Sequence, residues 1–158
     1  MRGRGGFSLA ELTAVVSILG ILAALGGPRM MEQLAWIRVR GAANQLTAGL
    51  AYARQLAVRN GDRARLVVIP APDCPAGPGQ VAGHRFHVVA TGGVASAVEL
   101  RGGGSRVCLS TNQSDAIVFS SRGLPVGFGN RTYVVWQEGR RAADTVTVSS
   151  VGRVLRRY

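Results

Sequence analysis

The chain of 158 residues contains no lysine. Its 19 basic residues are all arginine, against 8 acids and 2 histidines, for a formal charge of +11. So few carboxylates argue against a carboxylate-rich metal site and leave little material for acid–base chemistry. There are two cysteines and no C-x-x-C spacing, which speaks against zinc or dithiol redox chemistry. Gly102-Gly103-Gly104 lacks the Lys-Ser/Thr of a phosphate loop, and no G-x-S-x-G elbow occurs. Asp62, Asp73, Glu99, Asp115, Glu138 and Asp144 sit apart in sequence. His84 and His87, three apart on an expected strand, would point to opposite faces and share no metal. These absences exclude an enzyme reading, a cofactor, a metal centre and a small-molecule substrate.

Apolar residues make up 47% of the chain, enough for the core of one domain with perhaps one extra element. The positive balance favours anionic partners such as nucleic acid, a phospholipid surface or acidic protein. A GC-rich coding sequence, which also favours glycine and arginine, accounts for part of it.

The start of the chain is the most informative stretch. Residues 1–6 read MRGRGG and residues 7–28 read FSLAELTAVVSILGILAALGGP, with Glu11 the one charge in the latter. As a helix, residues 7–28 extend roughly 33 Å, enough for a hydrocarbon core of about 30 Å. Arg2 and Arg4 would hold the N-terminus on the cytoplasmic side. An ordinary membrane anchor and a cleaved secretory signal, with small residues near Ala24-Leu25-Gly26, both fit the hydropathy. Neither explains Glu11, since a carboxylate within an apolar span needs a partner.

Gly6-Phe7-Ser8-Leu9-Ala10-Glu11 resembles the prepilin cleavage motif of type IV pilins and type II secretion pseudopilins. The resemblance implies cleavage after Gly6 by a membrane aspartic peptidase and N-methylation of Phe7. Glu11 then stands at the fifth mature position and Pro28 at the 22nd, where many pilins carry a helix-bending proline. After cleavage the Phe7 amine is a cation one turn from Glu11. In a filament Glu11 would pair with the amine of a neighbouring subunit and set register in an apolar environment.

Beyond Pro28 the pattern stays helical to Asn60. Met30, Leu34 and Ile37 form one apolar run, and Val39, Ala43, Leu46, Leu50, Ala53 and Ala57 a second. Arg38, Arg40, Arg54 and Arg59 lie off the stripe, and Asn60-Gly61 is a stop signal. Valine-rich stretches at 65–69, 85–90, 97–101, 106–110, 116–120, 132–137, 144–149 and 151–156 are expected strands, with loops at 70–79 and 102–105. The expected architecture is α+β, with a long N-terminal helix, transmembrane then amphipathic, packed on an antiparallel sheet in the manner of pilins. The expected division is a leader at 1–6, a transmembrane and assembly helix at 7–28, and a periplasmic domain at 29–158. Within that domain the amphipathic helix covers 29–60 and the β part 64–158.

Three later segments resemble the FimT/GspH group of pilin-like proteins. Ile117-Val118-Phe119-Ser120-Ser121-Arg122-Gly123 is similar to its I-x-F-x-x-x-G segment. Ala53-Arg54-Gln55-Leu56-Ala57 is similar to its A-R-x-x-A helix end, and Gly152-Arg153-Val154 to its closing G-R-V. Residues 70–110 carry no motif of the group.

Cys74 and Cys108 fall in the part that would be exported, where an even count favours one disulfide; two buried thiols are the other reading. From Arg122 to the end there are seven arginines and two acids. Arg131, Arg140, Arg141, Arg153, Arg156 and Arg157 are therefore candidates for gripping DNA phosphates, with Trp136 or Tyr158 available to stack on bases. FimT-type minor pilins bind DNA through a C-terminal G-R-x-R element. Here Gly152-Arg153 matches, Leu155 stands at the second arginine's position, and Arg156 and Arg157 follow.

The resemblance implies a single-pass inner-membrane protein that the prepilin peptidase processes and that joins other pilins in a filament at the cell surface. The expected function is that of a FimT-like minor pilin aiding capture of double-stranded DNA. The alternatives are a structural GspH-like pseudopilin of a type II secretion system and a minor pilin that only primes assembly.

Overall fold

The computed structural model describes residues 8–100, 107–113, 116–127 and 129–157. Gly6, Phe7, Asp115, Tyr158 and the expected loop at 102–105 lie outside the described residues. One helix, α1 (Leu9–Asn60), is followed by β1 (Ala64–Ile69), β2 (Val81–Gly83), β3 (Arg85–Ala90), β4 (Gly93–Glu99), β5 (Val107–Thr111), β6 (Ile117–Phe119), β7 (Arg131–Gln137), β8 (Ala143–Val148) and β9 (Val154–Arg157).

The chain divides into two units, Met1–Leu34 and Ala35–Tyr158. In the first, Ser8 precedes the helix and its carbonyl accepts from the N–H groups of Glu11 and Leu12. A serine with glutamate three residues on is a helix-start pattern, and Glu11 in the first turn suits the helix dipole. Leu12, Val15, Val16, Leu19 and Leu22 are all exposed. Thr13 and Ser17 return their hydroxyls to the helix backbone, at Ala10 O and Thr13 O, so neither needs an outside partner. Among the described residues no single helix is long and apolar enough to cross a membrane; Leu9–Ala24 and Arg29–Asn60 pass together, by length and composition.

In the second unit the helix buries Ala35, Val39, Ala43, Leu46, Leu50, Ala53 and Ala57. The expected run through Val39 is thus the core face. The other expected run, Met30, Leu34 and Ile37, is exposed. The helix ends at Gly61, whose φ of 65° is open to glycine at little cost. Its N–H donates to Val58 O and that of Asp62 to Ala57 O, the paired bonds of a Schellman cap.

Two antiparallel sheets pack with the helix, where a single sheet was expected. The first has the order β4-β3-β1-β6 and the second β2-β5-β7-β8-β9. Leu66, Phe86, Val88 and Phe119 of the first sheet and Leu109, Tyr133, Val135 and Val146 of the second join the helix stripe in one core. The division of strands between sheets follows from pairings between residues far apart in sequence, which local patterns do not encode. β2, only three residues long among glycines, escaped the strand pattern. β4 begins at Gly93, four residues before the expected strand, and β9 covers 154–157 rather than 151–156.

Candidate functional site

β7, β8 and β9 form the end of the second sheet, with Tyr133 opposite Val146 and Val146 opposite Arg156. Alternate residues of a strand face the core. In β7 this turns Arg131 inward with Tyr133 and Val135, and in β8 it turns Asp144 inward with Val146 and Val148. Two of the six arginines expected to contact DNA make their contacts within the protein. Arg131 is buried, and its Nη2 donates to Gln113 Oε1. Arg156 donates from Nε to Asp144 Oδ2 at 2.8 Å, from Nη1 to Asn44 Oδ1 and from Nη2 to Arg40 O. Both guanidiniums are held by the protein itself. Arg140, Arg141, Arg153 and Arg157 are exposed. Trp136 is half-buried and packs against the disulfide.

A mostly apolar cleft of about 430 Å³ is lined by Leu50, Arg54, Val58 and Arg59 of α1, by Phe119 of β6, and by Gly152 and Val154 at the start of β9. Gly152 (φ +79°) and Gly123 (φ +74°) are apposed there, a Cβ on Gly152 falling 3.6 Å from Gly123 O and 3.1 Å from Pro125 Cδ. A Cβ on Gly123 would sit 3.1 Å from Arg54 Nε. Side chains are disfavoured at both positions by backbone and by space. Arg122 and Arg153, each next to one of these glycines, are exposed as well. The segments Ala53–Ala57, Ile117–Gly123 and Gly152–Val154, far apart in sequence, therefore meet at one cleft that Arg54 and Arg59 line, with Arg122 and Arg153 next in sequence to its apposed glycines.

At the far end of the second sheet, Cys74 and Cys108 form a disulfide with Cα atoms 5.7 Å apart. It packs with Ala82 and Trp136 in a small second core. His84 is buried beside it, with Nδ1 3.4 Å from Asp73 Oδ1 and Nε2 3.9 Å from Glu99 Oε1.

Residues 42–152, more than half of the chain, match the family described as Type II transport protein GspH. The chain belongs to the GspH family. Two solved structures share the fold, both of the type IV minor pilin FimU of Pseudomonas aeruginosa, in different crystal forms. The first is 20% identical, with a TM-score of 0.56 over 76% of this chain and 88% of that one. The second is 22% identical, with a TM-score of 0.53 over 75% and 92%. None of the curated protein sequences compared with the chain matches it. This GspH-family chain is therefore a minor pilin or pseudopilin of the FimT/GspH group, with the α+β pilin fold.

Sequence reasoning missed two groupings in this GspH-family protein. Arg54 and Arg59 lie off the helix stripe in sequence, and only the tertiary fold brings Arg54 against Gly123, with Gly152 apposed to that glycine. His84, expected on a strand facing away from His87, is the other. It is buried because Gly83 pairs with Leu109, which delivers the next residue toward Cys108.

Proposed function

We propose that this chain is a minor filament subunit that grips double-stranded DNA through the arginines at and beside this cleft. In this reading the prepilin peptidase removes residues 1–6 and Phe7 is methylated. Residues 7–28 anchor the subunit in the inner membrane, in a single pass, and later pack it among other pilins. Glu11 pairs with a neighbouring subunit's N-terminal amine, Pro28 bends the helix, and residues 29–158 work outside the cytoplasm. The apolar, exposed residues of α1 before Ala35 support such packing, because in water alone they would be an aggregation hazard.

The observation that carries the DNA reading is the exposure of Arg54 and Arg59 along one cleft, with exposed Arg122 and Arg153 next in sequence to its apposed glycines and Arg157 on the outer face of β9. Guanidinium forks match phosphate oxygens, and five of them on mobile stems tolerate any base sequence. Arg140 and Arg141, in the turn between β7 and β8, add to the same charge. The test is a titration of the full chain in detergent with duplex DNA at several salt concentrations. Log affinity should fall with log salt by about 0.9 for each phosphate contacted. Changing Arg54, Arg59, Arg122 and Arg153 together to Ala should abolish binding. Binding that survives this change removes the cleft from the proposal.

The family's description as a type II transport protein favours a second reading. There the chain is a structural pseudopilin, its arginines face acidic partner subunits, and DNA does not bind even at low salt.

A further inference from the structure

We propose that the DNA path at the first cleft runs on past the C-terminal end of α1 into a second cleft, where Arg63 and Arg65 hold further phosphates of the same duplex. This rests on the DNA reading above and adds a site which that reading does not use. The second cleft has a volume of about 350 Å³, and its lining includes Asp62, Arg63, Arg65, Val89, Thr91 and Val118. Both arginines are exposed.

Two links join the clefts. Along the chain at the end of α1, Arg59 lines the first and Arg63 the second, four residues later around the Gly61 cap. Along β6, Phe119 lines the first and Val118 the second. Successive strand residues face opposite sides, so β6 divides a cleft on its core side from one on the outer face of the first sheet. Arg65 pairs with Val118 and shares that outer face. Four residues span at most about 14 Å, the rise of about four phosphates along one DNA strand. A duplex lying on Arg59 therefore has phosphates within reach of Arg63.

The side chains of the second cleft suit an anion. Asp62 is the one acid in its lining, and both of its oxygens are taken. Oδ1 accepts from the Arg63 N–H and Oδ2 from Thr91 Oγ1, each at 2.6 Å. Arg131 and Arg156 show how an arginine committed to the fold is placed, since protein oxygens hold each of them. The guanidiniums of Arg63 and Arg65 donate to no oxygen among the described residues and stand in water. Such forks are open to phosphate oxygens, with no protein contact to break first.

The test titrates the full chain in detergent with a mixed-sequence duplex at salt concentrations from about 50 to about 200 mM. Arg63→Ala with Arg65→Ala should weaken binding and lower the slope of log affinity against log salt by about 1.8, two contacts at about 0.9 each. The ratio of wild-type to variant affinity should then shrink about twelvefold across that salt range. Arg63→Lys with Arg65→Lys keeps the charge and should restore most of the slope. Both positions are exposed, so an unchanged melting temperature checks the fold of each variant. Arg140→Ala with Arg141→Ala removes the same charge from a turn that lines neither cleft, and should lower the slope by less. An unchanged slope in the Arg63 and Arg65 variant, with binding still lost when Arg54, Arg59, Arg122 and Arg153 are changed, would overturn the second cleft and leave the first. An equal fall in the Arg140 and Arg141 variant would reduce the effect to total charge and overturn it as well. No binding by the wild-type chain at the lowest salt would end both readings.

Discussion

Arg156 on β9 donates to Asp144 on β8, whose carboxylate is wholly buried, and the same guanidinium reaches Asn44 and the Arg40 carbonyl on α1. One side chain thereby ties the last strand to its neighbour and to the helix. Arg156→Ala leaves Asp144 buried without its cation. We expect a loss of about 3–5 kcal/mol, read by urea denaturation. Asp144→Leu combined with Arg156→Met should recover much of it. A small loss in Arg156→Ala with loss of DNA affinity would instead mean that Arg156 faces the nucleic acid.

Glu11→Ala should leave cleavage after Gly6 intact and stop the subunit entering filaments. Mass spectrometry of the processed N-terminus and immunoblots of sheared filaments measure the two effects separately. Normal incorporation of the variant would end the register role assigned to Glu11.

The disulfide closes a loop across a sequence separation of 34. Cys74→Ser with Cys108→Ser should cost roughly 3–4 kcal/mol by the chain-entropy argument. The midpoint of denaturant unfolding under non-reducing conditions gives the value. An unchanged midpoint would assign the stability of this end of the sheet to the Ala82–Trp136 packing.

Gly49 lets α1 lie close on the first sheet. A Cβ there would stand 2.5 Å from Phe86 Cε2, and Phe86 is fully buried. Gly49→Ala gains about 1 kcal/mol of helix propensity and meets about 1–3 kcal/mol of overpacking. We expect a lower melting temperature, relieved by adding Phe86→Leu. A rise in melting temperature for Gly49→Ala alone would show that the ring moves aside freely.

Asp62, just past the helix cap, accepts from Thr91 Oγ1 at 2.6 Å and from the Arg63 N–H at 2.6 Å. The Thr91 hydroxyl first, then the Arg63 N–H and the Arg63 charge, hold its carboxyl below the usual carboxylate range. A depressed carboxyl stabilises the fold above its unfolded pKa and loses that contribution as pH falls through the folded value. The stability gap between wild type and Asp62→Asn should therefore shrink as pH drops below the ordinary range. Carbon-detected NMR titration should show Thr91→Val raising the Asp62 pKa. No movement would make the backbone donor the main cause.

Much of this protein is written locally. The helix stop at Asn60-Gly61, the core stripe from Val39 to Ala57 and the alternation in β7 and β8 each follow from periodicities of 3.6 and 2, or from a glycine cap. The resemblance at residues 6–11 and at the three later motifs led to the right family for the same reason, since short segments carry it. The tertiary structure decided what no short segment holds. It divided the nine strands of the described residues between two sheets and turned Arg131 and Arg156 inward while their neighbours stayed in water. It also drew Arg54, Gly123 and Gly152 together beside one cleft, and Asp73 and His84 together beside the disulfide. A one-residue shift of register would reverse every facing in a strand, and register is set by pairings across the whole chain.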